Sequence, residues 1–303
     1  MPLDLDTNLI RFVKSFIVST LTNLQAIDAY TSDQYISSQN HLRELWFMCH
    51  AQGFSYAIFD GYQKQVLSYH SFEVADFFII SPDTLRGLLN NIDVFLNDFK
   101  SVKIIFENPF YTLLPAALFE EEEAATYYQL KYELQDGMQL LNHRIPDFGA
   151  QIVYAVPQFM LNELLSKFTD SSIRERVKIF HHAQALLSSL YYQTAHLNKE
   201  VCYLNLGEKS FDVVMIKNSN LHFCNSYPYH NPEDVLYFVM HTFQSHQLKP
   251  EICECCFSGS NPQESKIKEL VNTYIKNTHD VILSQIPASV QHSSTLFLLQ
   301  HCV

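Results

Sequence analysis

The two halves of the chain follow one plan of apolar runs, over residues 44–109 and again over residues 200–262. Each half opens with an apolar run, passes a turn that holds a glycine, Gly53 or Gly207, and reaches two further strand-like runs. A helical segment and one more apolar run complete each unit. The repeat therefore predicts two lobes of a βββαβ pattern. It restricts the fold strongly and the function much less.

The helix of each unit starts with the same chemistry, Ser81-Pro82-Asp83 and Asn231-Pro232-Glu233. Serine is a favoured N-cap and proline suits the first helical turn. Apolar residues recur at helical spacing from Leu85 to Phe99, which predicts an amphipathic helix. Continuous apolar runs are typical of strands that are covered on both faces. The predicted strands are 45–49, 54–59, 66–72, 102–106, 201–204, 211–216, 221–227 and 252–257.

The first half is longer than the second, and its surplus follows Pro109. A helix at 119–131, strands at 138–143 and 150–156 and a helix near 158–168 predict a small extra subdomain, about 108–168, on the first lobe. A last helix, 183–196, would lead into the second lobe. Residues 1–40 form a predicted amphipathic extension with a loop at 30–40. The predicted domains are thus 1–40, 41–196 and 197–303.

The charge balance and the apolar runs argue against several kinds of partner. The chain has 20 Lys+Arg against 32 Asp+Glu, a formal charge of -12, which disfavours nucleic acid and anionic membrane surfaces. No apolar run approaches the roughly 18 residues of a membrane-spanning helix. Asp4 and Asp6 precede the first apolar stretch, unlike the basic start of a signal peptide. We therefore expect no nucleic acid, no membrane insertion and a cytoplasmic location.

The 7 cysteines are an odd number and fall mostly in predicted strands, so buried reduced thiols explain them better than disulfides. Cys253-x-Cys255-Cys256 suggests zinc, but no second Cys or His pair lies at ligand spacing, and alternating thiols in a buried strand are favoured. His181-His182 is predicted to have a surface or junction role, because adjacent helical residues point in different directions.

Several short motifs carry a resemblance to a known family. The motifs are Gln52-Gly53-Phe54-Ser55-Tyr56 and the segments 111–119, 152–157, 221–227 and 233–237. On these motifs the chain resembles an uncharacterised bacterial family, known only as a domain of unknown function with an actin-like ATPase fold. The similarity spans most of residues 40–280. The chain is more loosely similar to the actin-like proteins of type IV pilus and type II secretion machinery.

The resemblance implies an α/β fold: duplicated ribonuclease-H-like βββαβ lobes in an actin-like ATPase architecture, with a small extra subdomain on the first lobe. In this superfamily, which includes sugar kinases and heat-shock-cognate chaperones, an Asp and a Gly or small hydroxyl residue in each first hairpin clasp the phosphates and the hydrated metal. A glycine-rich turn contacts the adenosine. The resemblance therefore makes ATP and Mg²⁺ the candidate ligands of an interlobe cleft.

The matching positions depart from that pattern. The first hairpin, 49–53, has no acid, and the second has Asn205 where the acid is expected. The classical G-x-G-x-x-G and G-x-x-x-x-G-K-[ST] phosphate loops are also absent from the sequence. Gly207 and Ser210 could contact a phosphate or simply make a tight turn. The candidate cleft residues are Gly53, Ser55, Asn205, Gly207, Ser210, Ser258, Gly259 and Ser260.

Without these acids, Mg²⁺ loses its anchors and the attacking water loses its orienting base. The leading hypothesis is therefore a non-catalytic interaction or regulatory protein that binds a protein partner, with weak nucleotide binding in the cleft left open. One alternative is a weak ATPase or kinase whose metal is held by Asn205, Glu208 or His50. Another is a small-ligand sensor that performs no chemistry.

Overall fold

The computed structural model describes residues 26–96, 98–168, 174–194, 199–259, 261, 263–281 and 294–298. Most of the predicted N-terminal extension, Ser260 and the last two residues of the predicted helix 183–196 lie outside the described residues.

The first lobe is built on a 6-stranded sheet in the order β1-β4-β3-β2-β5-β9. Strands β2, β3 and β4 form two antiparallel hairpins, and β5 and β9 run parallel to β2. β1 pairs with the outer edge of β4, where the sequence predicts a loop from residue 30 onward. The strands are β1 (Asp28–Thr31), β2 (Glu44–His50), β3 (Gly53–Asp60), β4 (Gln65–Glu73), β5 (Ser101–Phe106) and β9 (Val177–His181).

The second lobe repeats this arrangement in a 5-stranded sheet, in the order β12-β11-β10-β13-β14. The predicted duplication is therefore confirmed, and each lobe adds a fifth, parallel strand that the sequence analysis missed, β9 or β14. β14 is short and polar, with the sequence NTHD, so it carries no apolar pattern. The strands are β10 (Glu200–Leu206), β11 (Ser210–Lys217), β12 (Asn220–Pro228), β13 (Glu254–Gly259) and β14 (Asn277–Asp280).

A small antiparallel sheet, in the order β6-β8-β7, forms the insertion of the first lobe. Its strands are β6 (Tyr111–Pro115), β7 (Met138–Ile145) and β8 (Ala150–Pro157). The sequence analysis missed β6. It also predicted a continuous helix at 119–131, but only Ala124–Gln129 is α-helical and a separate 3-10 turn covers Glu121–Glu123. The acidic residue that precedes the helix, Glu123, makes no side-chain cap.

The two helices with predicted N-caps begin where the sequence predicts. The Ser81 hydroxyl accepts from the Thr84 amide at 3.2 Å, and Asn231 forms a capping box with Asp234. The first of these helices ends at Asn90 rather than continuing toward Phe99. The α-helices among the described residues are α1 (Pro82–Asn90), α2 (Ala124–Gln129), α3 (Gln158–Ser166), α4 (His182–Thr194), α5 (Pro232–Ser245), α6 (Glu264–Tyr274) and α7 (Ser294–Phe297).

The two lobes share one hydrophobic core. The core of the first lobe continues onto the inner face of the second sheet, where it includes Val201, Tyr203 and Val214. A separate core fills the space between the outer face of that sheet and helices α5 and α6. In the insertion, the Tyr111 hydroxyl lies 3.3 Å from the Cys224 sulfur on β12. The lobes are therefore packed directly against each other.

Within the described part of the chain, no helix has the length and hydrophobicity needed to cross a bilayer.

Candidate functional site at the lobe junction

Polar side chains gather at one end of the second sheet. Parallel pairing sets Asn205 of β10 beside Ser258 of β13, and antiparallel pairing sets Asp212 of β11 opposite Asn205. Side chains alternate between the two faces of a strand, so Asn205 shares a face with Val201 and Tyr203. Because those two residues belong to the shared core, Asn205 also faces the first lobe.

The Asp212 carboxylate is the centre of a buried hydrogen-bond cluster. Its Oδ1 lies 3.0 Å from His182 Nε2 and accepts from the Ser226 hydroxyl. Its Oδ2 accepts from the Asn205 amide at 2.9 Å, and Asn205 Oδ1 accepts from Ser258 at 3.1 Å. We call these five residues the Asp212 cluster. His182 begins α4 of the first lobe, so the cluster joins the two lobes.

The electrostatics of the pair support a charged bridge. Burial lowers the pKa of His182, but Asp212 and Glu107 outweigh burial and the net pKa is raised. Burial raises the pKa of Asp212, but His182 and two hydrogen-bond donors outweigh burial, and the net pKa is lowered. The two shifts favour an imidazolium facing a carboxylate. Removing one partner would leave a buried charge uncompensated, which typically costs about 3–5 kcal/mol.

A second acid, Glu107, faces the cluster from the first lobe. It follows β5 and is half-buried. Burial raises the pKa of Glu107, His182 counteracts that shift and Asp212 adds to it. A Cβ placed on Gly207 would lie 3.4 Å from Glu107 Oε1 and 2.8 Å from the Ser210 carbonyl oxygen. The absence of a Cβ at Gly207 therefore lets the turn close on the Ser210 carbonyl, and it leaves Glu107 at contact distance from the hairpin.

The second hairpin is held by bonds within the protein. The Gly207 amide donates to the Ser210 carbonyl at 2.9 Å. The Gly207 carbonyl accepts from the Tyr229 hydroxyl at 2.6 Å and from the Asn261 amide at 2.8 Å. The Gly207 amide, one of the groups that could cradle an anion, is thus already used.

The backbone conformation explains why the two other candidate positions hold glycine. Gly259 has φ +90, and a Cβ there would lie 2.1 Å from the Leu206 carbonyl oxygen. Gly53 has φ +143, and its Cβ would lie 2.0 Å from the Phe72 carbonyl oxygen. L-residues with a Cβ rarely adopt such positive φ angles. Close backbone packing therefore accounts for both glycines without a ligand.

The structure brings only part of the predicted set together. The second-lobe candidates lie at one end of the second sheet: Asn205, Gly207, Ser210, Ser258 and Gly259. Gly53 and Ser55 lie in β3 of the first lobe, outside the Asp212 cluster, and Ser260 lies outside the described residues. The Ser55 hydroxyl is buried and has no hydrogen-bond partner.

Sequence reasoning missed three members of the junction: Asp212, Glu107 and Ser226. It searched the hairpin turns for an acid, whereas Asp212 lies within a strand and Glu107 follows one. A lone acid inside the apolar run FDVVMI was a usable signal. His181 and His182 are at the junction but not at the surface, since both are buried. Their rings lie 4.5 Å apart because α4 begins only at His182.

The residues suggested as unconventional metal ligands are placed poorly for that role. Both polar atoms of the Asn205 amide are engaged by Asp212 and Ser258. Glu208 is exposed at the tip of the hairpin. Burial lowers the pKa of His50 to about 4, which favours the neutral imidazole that metals bind, but His50 ends β2 of the first lobe, outside the Asp212 cluster.

Comparison with known protein families identifies the family of this chain. Residues 32–278 match the family described as "Protein of unknown function (DUF3822)". The chain belongs to this family. None of the curated proteins matches it.

Two solved structures show the fold. A protein of unknown function with an actin-like ATPase fold from Bacteroides thetaiotaomicron has a TM-score of 0.76 and 15% identity, covering 89% of this chain and 100% of that one. A PilM–PilN type IV pilus biogenesis complex has a TM-score of 0.54 and 11% identity, covering 86% and 95%. This member of the family thus has the actin-like ATPase fold, as the sequence predicts.

Proposed function

We propose that the chain is a non-catalytic protein that binds a protein partner, on an actin-like fold whose junction is closed by the Asp212 cluster. One observation carries the proposal. The Asp212 carboxylate, a buried acid of the second lobe, accepts hydrogen bonds from His182, Asn205 and Ser226. Mg²⁺ prefers oxygen ligands such as carboxylates. A metal at Asp212 would have to displace these protein donors, including the positive charge of His182.

The surface of the second lobe supports the proposal of a protein partner. A groove of about 660 Å³ lies along α5 and α6, with an apolar floor that includes Met240 and Phe243. Tyr237 and Tyr274 line it and are 64% and 53% exposed. Aromatic residues and Met are enriched in protein interfaces. We assign this groove to an apolar segment of the partner; the PilM structure, likewise, is of a complex with PilN.

We also propose a cytoplasmic site of action. The six cysteines within the described residues are free, five of them are buried, and such reduced thiols suit a reducing compartment.

A weak ATPase is the second candidate function, and Glu107 is the observation that favours it. Two carboxylates, Glu107 and Asp212, approach the junction from opposite lobes, and Glu107 faces the hairpin at Gly207. An acid with a raised pKa next to a possible phosphate position is suited to act as a general base. In this alternative the candidate cleft residues named from the sequence would contact the nucleotide.

Isothermal titration calorimetry with Mg-ATP separates the two functions. We expect no saturable binding by the wild-type chain at millimolar Mg-ATP and no phosphate release above the protein-free rate. Stoichiometric binding, with hydrolysis that Glu107→Gln abolishes, would establish the ATPase and overturn the non-catalytic proposal.

The partner is tested by affinity capture from native cells, followed by reconstitution with the purified partner. We expect Tyr237→Ala combined with Tyr274→Ala to lose the partner. Tyr62→Ala is the matched control, since Tyr62 is a 95% exposed tyrosine of the first lobe. If the double variant and Tyr62→Ala bind the reconstituted partner equally well, the groove is excluded as the partner-binding site.

A further inference from the structure

A cluster of three possible metal ligands lies on β13 and β14, away from the hairpin end of the second sheet. Glu254 and Cys256 are two residues apart on β13, so their side chains share one face. Parallel pairing sets His279 of β14 beside Cys256. Two adjacent strands thus present a carboxylate, a thiol and an imidazole on one face of the sheet.

Two of the three distances between donor atoms are close to those of a tetrahedral metal site. Cys256 Sγ lies 3.2 Å from His279 Nε2, and the same nitrogen lies 3.2 Å from Glu254 Oε1. All three donor atoms lie within 4.8 Å of one another. Zinc bonds of about 2.3 Å to sulfur and about 2.0–2.1 Å to nitrogen or oxygen place tetrahedral ligands roughly 3.3–3.6 Å apart. We propose that Glu254, Cys256 and His279 form a Zn²⁺ site.

The chemistry of the three donors favours zinc over the common hard cations. Mg²⁺ and Ca²⁺ take oxygen ligands, whereas a thiolate with an imidazole is typical of zinc. Three protein ligands leave the fourth tetrahedral position for water or a ligand, which is the arrangement of zinc sites that are not purely structural. A thiolate and a carboxylate together neutralise the two charges of the ion.

The surroundings of the three residues are compatible with a bound ion. Glu254 and His279 line a groove of about 880 Å³, which gives the ion access from solvent. Lys199 pairs with Glu254 Oε2 and leaves Oε1 for the metal. Parallel pairing also sets Tyr203 of β10 beside Cys256, on the face of the sheet that carries the three ligands.

The other thiols of the segment do not belong to this site. Cys253 and Cys255 lie in the core between the second sheet and α5 and α6, on the opposite face of β13. The sequence analysis treated all three cysteines as core thiols. That description fits all three, because Cys256 is also buried in the shared core, but Cys256 in addition faces a histidine and an acid.

Zinc binding is tested on the reduced, chelator-treated full chain by competition with a chromogenic chelator, and Co²⁺ serves as a spectroscopic substitute. We expect the wild type to take up one equivalent of Zn²⁺ and to give a thiolate-to-cobalt charge-transfer band. His279→Ala should weaken zinc binding at least about tenfold, and Cys256→Ser should also remove the band. His241→Ala and Cys255→Ser are the controls: His241 is exposed on α5, and Cys255 lies on the opposite face of β13.

Absence of zinc uptake by the wild type would overturn the proposal. An unchanged zinc affinity in His279→Ala would also overturn it, whatever the stoichiometry. That variant keeps every thiol, so zinc bound by cysteines alone would still bind. His279 is exposed on an edge strand, so its replacement should leave the fold intact and decides the question even if Cys256→Ser does not fold.

Discussion

The two lobes close their first hairpins in the same register: Phe54 lies opposite Cys49 in one, and Phe211 lies opposite Leu206 in the other. Positions counted from these pairs can be compared directly, yet their chemistry differs. Three positions at the end of each sheet match in this way. In the first lobe two of them are apolar and one is a serine, whereas in the second lobe all three are polar. They are Met48, Ser55 and Ile105 in the first lobe and Asn205, Asp212 and Ser258 in the second.

The difference teaches that duplication of the backbone does not duplicate the site. In the first lobe the charged and polar groups of the junction come from other elements, with His182 at the start of α4 and Glu107 after β5. His182 supplies the charge that faces Asp212. We therefore interpret the junction as an ion pair between the lobes, formed by side chains that the duplication does not repeat.

Asp212→Ala should have the largest effect. It leaves the buried His182 imidazolium and the Asn205 amide without an acceptor, and we expect a loss of about 3–5 kcal/mol in the free energy of unfolding. Urea denaturation measures the change. Asp83→Ala is the control, because the Asp83 side chain is 92% exposed and its removal should change stability by less than about 0.5 kcal/mol. A loss below about 1 kcal/mol for Asp212→Ala would mean that the pair does not hold the junction.

Gly259→Ala should come next. The matched position of the first lobe holds Phe106, which pairs with Cys49 as Gly259 pairs with Leu206. A Cβ at Gly259 would meet the Leu206 backbone at a positive φ, so we expect a cost of about 2–4 kcal/mol. Gly87→Ala in α1, where a Cβ would meet nothing within 4 Å, should stabilise the chain by about 0.5–1 kcal/mol. Thermal melting of both variants checks the contrast, and equal shifts would refute it.

Two serine replacements sharpen the comparison further. Ser226 donates to the Asp212 carboxylate, and Ser226→Ala should cost about 1.5–3 kcal/mol, as expected for a hydrogen bond to a charged group. Ser55 is buried without a partner at the position that matches Asp212, so Ser55→Ala should be neutral or slightly stabilising. Chemical denaturation of both variants provides the values. A larger loss for Ser55→Ala would show that the first hairpin has a polar contact of its own.

The pH dependence should give the smallest effect. The pKa of His182 is raised in the folded state. Its contribution to the free energy of unfolding is therefore complete below about pH 6.5 and is lost as the pH rises through the folded-state pKa. The folded pKa of Asp212 is lowered, so its contribution is present above about pH 3.9 and is lost as the pH falls through the folded pKa.

The stability difference between the wild type and His182→Gln should therefore be largest between about pH 4 and 6.5. It should decrease above that range. Denaturation at a series of pH values measures it, and His241→Gln, at an exposed histidine, should show no such window. Glu107 titrates beside the pair, so the measurement is repeated in Glu107→Gln. A difference that rises steadily with pH would contradict a charged His182.

The fold was largely predictable because its signals are local. The apolar run of β10 and the helix start Asn231-Pro232-Glu233 each predict one element from a few neighbouring residues. The duplication then indicates how these elements are ordered in each lobe. β14 was not predictable from local pattern, since its polar residues form a strand only by pairing with β13. The Asp212 cluster was missed for a similar reason. His182 and Asp212 meet only because the lobes pack together, and no spacing in the sequence encodes that contact.

A double-mutant cycle on His182 and Asp212 tests the ion pair between the lobes most directly. The free energy of unfolding is measured for the wild type, His182→Gln, Asp212→Asn and the double variant at about pH 6, inside the window where both groups are charged. We predict a coupling energy of about 1.5–3 kcal/mol, the value of a buried charged hydrogen bond. Coupling below about 0.5 kcal/mol would mean that the two residues act independently and that the junction is not closed by this pair.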